Sequence, residues 1–514
     1  MTSPTGIQAR PGRSDPAALD TPVGHVSEGI TTVTTDLSIS DLTPGRPPSV
    51  TADAATALRG LTGFPLHLPG DVAYDAARLA WNRAVDQRPA AVAEPRSAHD
   101  VSRLVRLAAE HGLRVAPQST GHNAGPLAQR GLDDVILLRT GALGSVSIDP
   151  ARRVARVGGG ALWDPAVAAA GEHGLAALHG SSPDVGIAGY SLGGGLGWYG
   201  RSLGLAANHV TAAEVVIGDG TIVRTDAEHD PELLWALRGG GGSFGVVTAL
   251  EFSLFDIPSA YAGMMIFDIG RADEVLRRWA TWSAGAPEEV TTSFRILHLP
   301  PLPELPPFLS GRSVVVIDGA VLTADDTADR VLADLRSLRP ELDTFLRVPA
   351  PALTGLHMDP EGSAASIGSS AMLGRLDDAG IDAFLTAVGD RSATSLMFGE
   401  LRQLGGALAR PGDGGGAVSH LDGQFLAFGA GMVMAPEMAL QVGADAAAFS
   451  QALAPWSGRR PYLNFVEDAV DPRQAYDETS WRRLAGIRSA VDPSGTFAAN
   501  HRVPRLYEDG RPSC

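Results

Sequence analysis

Residues 117–125 read Pro-Gln-Ser-Thr-Gly-His-Asn-Ala-Gly and set one imidazole, His122, among small and hydroxyl-bearing residues. Ser119, Thr120 and Gly121 carry little bulk, so main-chain N–H groups can converge there on an anion. A neutral imidazole nitrogen is both a nucleophile and a proton carrier. The stretch therefore reads either as a ligand loop with a reactive histidine or as a polar surface turn with an ordinary one. A second run, residues 180–197, is filled mostly by Gly, Ala and Ser, which lets another backbone or a large flat ligand come close. Within it, Gly195-x-Gly197-x-x-Gly200 has the form of a dinucleotide fingerprint but lacks the apolar strand that must precede one. The glycine cluster at 239–245 has the same defect.

Both loops are delivered by similar units. Ser97 with Asp100 three residues on marks a helix start, and Val101, Leu104, Val105 and Ala108 keep helical spacing. Gly112 ends that helix, and a short strand at 113–116 runs into the first loop. About sixty residues later a strand at 153–157, a turn at 158–160 and a helix at 163–172 lead into the second. Glu172-His173-Gly174-Leu175 repeats the ending Glu110-His111-Gly112-Leu113. Gly218-Asp219-Gly220 between alternating apolar runs predicts a hairpin. A helix is expected at 233–237 and a strand at 246–252.

Composition removes whole classes of chemistry. The chain has 514 residues, enough for two or three domains with substantial cores. Its 41 basic residues are all Arg, which excludes a Walker-type loop, a Schiff-base lysine and a lysine base. Its one cysteine is Cys514, so disulfides and thiolate metal sites are excluded, and no His-Glu-x-x-His pattern supports a metal site. A net charge of −17 without a basic stripe disfavours nucleic acid and anionic membranes as partners. No apolar run reaches the roughly 18 residues of a membrane span, and no secretory signal is visible. A cytoplasmic protein using an organic cofactor is expected.

Residues 1–70 read as a largely irregular N-terminal extension, 71–255 as an α+β domain, 256–459 as an antiparallel-sheet domain covered by helices, and 460–514 as a C-terminal segment, helical around 480–491 and ending in a polar tail. Strands are expected at 263–267, 313–322 and 424–433, and helices at 272–283, 324–335 and 480–491.

Taken in order, several short motifs resemble one family. They are Gln118-Ser119-Thr120-Gly121-His122-Asn123, Ser182-Pro183-Asp184-Val185-Gly186, Gly193-Gly194-Gly195-x-Gly197, Gly204-Leu205-Ala206-Ala207-Asn208, the run 234–242, Leu404-Gly405-Gly406-Ala407, Tyr462-Leu463-Asn464-Phe465, and Asp492-Pro493 with Phe497, Asn500 and Pro504. The chain resembles the berberine-bridge-enzyme-like flavin oxidoreductases of the vanillyl-alcohol-oxidase type, and among them the bacterial 6-hydroxy-D-nicotine-oxidase-like members. The resemblance implies an α+β fold with a two-lobed PCMH-type FAD-binding domain and a substrate domain over the isoalloxazine. It implies FAD held by Gln118, Ser119, Thr120, Gly121, His122, Asn123, Ser182, Val185, Gly186, Gly189, Tyr190, Leu192, Gly197, Val247, Asn464 and Asn500. His122 would be bonded to the flavin 8α-carbon, and that bond would be the only covalent link, because Ser182 stands where doubly linked members carry cysteine.

The same resemblance implies hydride transfer from a C–H beside O or N of a small, secondary-metabolite-like substrate to flavin N5, with dioxygen as acceptor. A dehydrogenase with another acceptor, or a flavin-holding protein without turnover, are the alternatives. Phe465 replaces a tyrosine used as base in some relatives, and residues 407–409 lack the glutamate of berberine bridge enzyme. Tyr462 is the first candidate for catalysis and His420 the second. Glu400, Arg402 and Asp422 read more simply as paired or solvated charges. The sequence leaves a homo-oligomer open.

Overall fold

The Ser97 hydroxyl accepts the Asp100 amide at 3.2 Å and donates back to the Asp100 carboxylate at 2.9 Å, which starts the helix Ala98–Glu110. Val101, Leu104, Val105 and Ala108 face inward along it and are fully buried. Each of the larger ones contributes up to roughly 1.5–3 kcal/mol by leaving water. Gly112, at φ +66°, turns the chain into the strand Arg114–Gln118. The computed structural model describes residues 50–303, 305–359 and 362–506.

The first lobe is a four-stranded sheet in the order Leu66–His67, Ala91–Ala93, Val135–Arg139, Arg114–Gln118. Its last three strands run parallel. The second lobe is a five-stranded antiparallel sheet ordered Val146–Asp149, Val154–Gly158, Val246–Ser253, Val210–Val216, Ile222–Thr225. The hairpin around Gly218-Asp219-Gly220 forms its edge. The helices Trp163–Gly171, Pro231–Leu237 and Glu478–Val491 bury their apolar faces in the core of this lobe.

The third unit is an eight-stranded sheet. Its path is Leu342–Asp343, Ser259–Asp268, Ser313–Val321, Val290–His298, Phe398–Gln403, Phe425–Met432, Ser366–Leu373, and Leu346–Pro349 also pairs with Ser259–Asp268. All its pairings are antiparallel. Strand periodicity divides its faces. Phe294, Leu401, Phe425 and Ala427 point into a core under the helices Ala272–Gly285, Asp325–Arg336, Asp378–Val388 and Ala439–Ala452. Arg295, Glu400, Arg402 and Phe428, one residue out of step, sit on the opposite face.

The C-terminal return ties these pieces together. The Val115 amide donates to Thr496 O at 2.7 Å, and the Ala498 amide to Val115 O at 2.9 Å, so the return extends the edge of the first lobe. A fully buried pair, Arg488 and Asp492, fixes the turn before it. Asp492 accepts the Thr496 and Phe497 amides at 2.7 and 3.2 Å, while Arg488 donates to Phe497 O at 2.8 Å.

Residues 50–70 correct one expectation. Instead of irregular chain they hold the helix Ala52–Gly60, capped by Thr51, and the strand Leu66–His67. Ala54 and Leu58 pack into the core of the first lobe. Two inward residues in an alanine-rich segment leave too weak a periodic signal to read. The remainder of the expected extension, residues 1–49, and Cys514 lie outside the described residues. In the third unit the strands Val290–His298 and Ser366–Leu373 were not anticipated, and the strand expected at 263–267 is longer, Ser259–Asp268.

Replacing Asp492 by Ala leaves the Arg488 guanidinium buried without its carboxylate. The expected loss is about 3–5 kcal/mol in urea unfolding, whereas Glu478→Ala, which removes exposed ion pairs to Arg473 and Arg482, should leave the urea midpoint nearly unchanged.

Candidate FAD and substrate site

A cavity of about 490 Å³ opens where the two lobes, the open face of the large sheet and the C-terminal return meet. Such a volume suits a small molecule or part of a cofactor. Its walls include residues 117–123, most of residues 180–193 but not Asp184, the glycines 239–242 and Gly245, parts of the strands at 397–402 and 428–432, most of residues 462–467, and residues 498–501.

His122 stands in the first wall, 25% exposed at the side chain. Its ring stacks on Trp81 at 4.0 Å between centroids with an 18° interplanar angle. Nδ1 is 2.7 Å from Thr120 Oγ1 and Nε2 is 3.4 Å from Asp184 Oδ1. Asp184 also accepts the Trp81 indole N–H at 2.5 Å and the Ser182 hydroxyl at 3.0 Å. Burial raises the Asp184 carboxyl, but its bonds to His122, Trp81 and Ser182 outweigh this and hold it below the ordinary range.

The C-terminal element enters through Asn464. Its Nδ2 donates to Tyr190 O at 2.9 Å and to Tyr462 Oη at 3.2 Å. Gly193 has to be glycine, since a Cβ there would lie 1.7 Å from Asn464 Oδ1. Tyr462 is 3% exposed, and burial pushes its phenol well above the ordinary value. At neutral pH it is therefore a hydrogen-bonding phenol. The Asn500 amide donates to Asn123 O, joining the return to the first loop.

Opposite these loops, the sheet presents a buried charge network. Arg295 and His357 reach Asp318 at 2.5 and 2.9 Å, and His357 Nε2 lies 3.2 Å from Glu400. Arg402 Nε is 2.9 Å from Glu400 Oε1, and its guanidinium sits 5.1 Å above the Phe465 ring. Burial pushes Glu400 up, but Arg402 and His357 win and bring it to about 2. Burial and the Arg295 charge pull the His357 imidazole down, yet Asp318, Glu400 and Asp359 raise it overall. Beside this network Phe398, Phe428 and Phe465 meet edge to face, with centroids 5.6 and 5.4 Å apart. Glu467, two residues past Phe465, accepts the Gly368 amide at 2.8 Å, and burial raises its carboxyl to about 7.

Residues 89–226 match the model of an FAD binding domain. A stretch of 190 residues is 38% identical to (R)-6-hydroxynicotine oxidase of Paenarthrobacter nicotinovorans, covering 37% of this chain and 41% of that protein. A stretch of 217 residues is 32% identical to the xylooligosaccharide oxidase of Thermothelomyces thermophilus, over 41% of this chain and 44% of that protein. These alignments take in less than half the length of either relative. The solved structure of wild-type Physcomitrella patens BBE-like 1 superposes with a TM-score of 0.75, over 90% of this chain and 100% of that one, at 21% identity. The chain carries an FAD-binding domain and has the fold of the berberine-bridge-enzyme-like proteins.

The residues of this FAD-binding protein fit the cofactor. Gly189, Gly241 and Gly242 line the cavity, and a Cβ on any of them would meet nothing within 4 Å, so bare backbone faces open space. Asn123 Oδ1 is buried there with no hydrogen-bond partner among the described residues. Burial pulls His501 down to about 4, so it is neutral. Among the described lining residues Arg402 is the only arginine, and Glu400 already pairs it. The pyrophosphate would therefore rest on backbone N–H groups of the small-residue loops.

The structure brings fifteen of the sixteen expected FAD residues into this wall, together with Tyr462. Gly197 is the exception: a Cβ there would come within 1.8 Å of His179 O, so it serves the close packing of two backbones. Nor does His420 line the cavity; it faces Asp422 at 3.2 Å and Ser419 Oγ at 3.2 Å, a local pairing that corrects its place as a catalytic candidate. Tyr190 is held among loop glycines with its ring edge-on to Trp163 at 5.3 Å, a packing role. Trp81, His357 and Glu467 were missed. Trp81 and His357 carry no local motif, whereas Glu467 keeps the two-residue step from Phe465 and could have been found. Glu400 and Arg402 are paired, one of the two readings the sequence allowed, with Glu400 buried and Arg402 half-buried, and both face the cavity.

A carboxyl raised from 4.5 to about 7 stays protonated in the folded chain where the unfolded chain has lost the proton. Stability is therefore expected to fall as pH rises from about 4.5 to 7. Glu467→Gln should flatten that decline in melting temperatures measured across the same window, and an unchanged slope would contradict the assignment.

Proposed function

We propose that the protein is an FAD-linked oxidase in which His122 is the single covalent tether and the large sheet forms the substrate pocket. The observation that carries this reading is the convergence of the His122 loop, the second small-residue loop and the Tyr462-Asn464 element on one cavity. When bound, FAD supplies a two-electron acceptor that dioxygen can regenerate.

The chain's own residues divide the remaining work. Asn464 and Tyr462 brace the wall with neutral donors. Phe398, Phe428 and Phe465 exclude water and hold an apolar body. Arg402, His357 and Glu400 offer fixed charges to a polar end of the substrate. Glu467, with its proton affinity near neutrality, takes the proton from the substrate heteroatom; Glu400, held ionised by Arg402 and His357, is too weak a base. Phe465 thus leaves the site without a phenolic base but not without a base. Two of the relatives are named as oxidases of 6-hydroxynicotine and of xylooligosaccharide. The aromatic wall favours the former kind, a small aromatic or heterocyclic molecule with a hydroxyl or amine.

Acid precipitation of flavin-loaded protein should leave a yellow pellet, and His122→Ala should release the flavin to the supernatant. Anaerobic addition of such a molecule should bleach the visible flavin absorbance, with peroxide formed on admitting air. A colourless wild-type pellet contradicts the tether; bleaching without peroxide contradicts the oxidase reading.

A further inference from the structure

Asp184 stands behind the imidazole, outside the cavity lining, and its contacts converge on one task. Oδ1 lies 3.4 Å from His122 Nε2 and accepts the Ser182 hydroxyl at 3.0 Å. Oδ2 accepts the Trp81 indole N–H at 2.5 Å, and the same indole stacks on the imidazole. The carboxylate is thus fixed by two donors, and the ring it faces cannot rotate away without leaving the stack. His122 Nε2 is buried and makes no hydrogen bond in this structure, so the Asp184 carboxylate faces it across a gap of 3.4 Å. A carboxylate opposite Nε2 selects the tautomer with hydrogen on Nε2, which leaves the lone pair on Nδ1. Thr120 Oγ1, 2.7 Å from Nδ1, can donate to that lone pair. The arrangement is a carboxylate–histidine dyad whose reactive nitrogen is Nδ1, and long contacts of this kind tighten when the reacting partner is bound.

We propose that Asp184 is a positioning residue for covalent flavin attachment, fixing the His122 tautomer so that Nδ1 bonds to the flavin 8α-carbon. The inference rests on the reading of His122 as the tether. In the step, the Nδ1–C8α bond forms while one C–H bond of the 8-methyl group and the Nε2–H bond break. The Nε2 proton passes to Asp184. The electron pair left on the flavin goes, with two protons, to dioxygen as hydrogen peroxide. Ser182, which stands where a second tether would be, instead orients the carboxylate that serves the first.

The test follows attachment and not turnover. Wild type, Asp184→Asn, Asp184→Glu and Trp81→Phe are incubated with excess FAD, and the attached fraction is followed by denaturing intact-mass measurement. Asp184→Asn should bind FAD but attach it about 10²-fold more slowly, the lower end of what a positioned proton acceptor contributes. Asp184→Glu should restore much of the rate, and Trp81→Phe, which keeps the stack but loses the indole donor, should fall between. NMR of the isolated flavin peptide should show the bond at Nδ1. Attachment by Asp184→Asn at the wild-type rate overturns the proposal, as does a bond at Nε2 or an Asp184→Asn protein that no longer binds FAD. A wild type without attached flavin overturns the His122 reading as well, which separates the two failures.

Discussion

The contact on which the rest of the site depends is the one between Asn464 and the second loop. One amide group holds Tyr190 O at 2.9 Å and Tyr462 Oη at 3.2 Å, and Gly193 clears the space for it. Asn464 and Tyr190 lie 274 residues apart in sequence, so the hydrogen bond closes a long loop whose entropy has to be met elsewhere. The buried Arg488–Asp492 pair and the pairing of residues 496–498 with the first lobe offset it, because they hold the return in place independently of Asn464. The cavity is thus a property of the whole described chain.

The large sheet contributes in a different way. Its helix-covered face is an ordinary apolar core, while its other face carries Arg295, Asp318 and Glu400 almost without water, with Arg402 half-buried beside them. Burying charges on this scale is tolerable only because each has an opposite partner at hydrogen-bonding distance. Such a network is a poor way to gain stability. It is a good way to keep fixed dipoles and charges aimed at a ligand without reorganisation.

Legibility in the sequence followed the range of the interaction. Local signals read well: the Ser97 cap, Gly112, and the hairpin at Gly218-Asp219-Gly220 each depend on residues within a few positions. The small-residue loops expected to hold FAD do converge on one cavity, because close approach leaves no room for a larger side chain at fixed places, as at Gly193 beneath Asn464. What did not read were pairings set by tertiary contact. Nothing near Trp81 shows that it stacks on His122, and nothing near His357 shows that it bridges Asp318 to Glu400. His420 was misread for the same reason, since a histidine in a polar turn looks alike in sequence whether it faces a cavity or a neighbouring aspartate. The helix Ala52–Gly60 escaped because two buried residues are too few to make a period.

The central claim is that discontinuous segments form one FAD site closed by the C-terminal return. Hydrogen–deuterium exchange on protein with and without FAD tests it most directly. Protection on loading is expected together in residues 117–125, 180–193, 239–247 and 460–467, with the helix-covered face of the large sheet unchanged. Protection confined to the first two segments, with 460–467 unaffected, would contradict it.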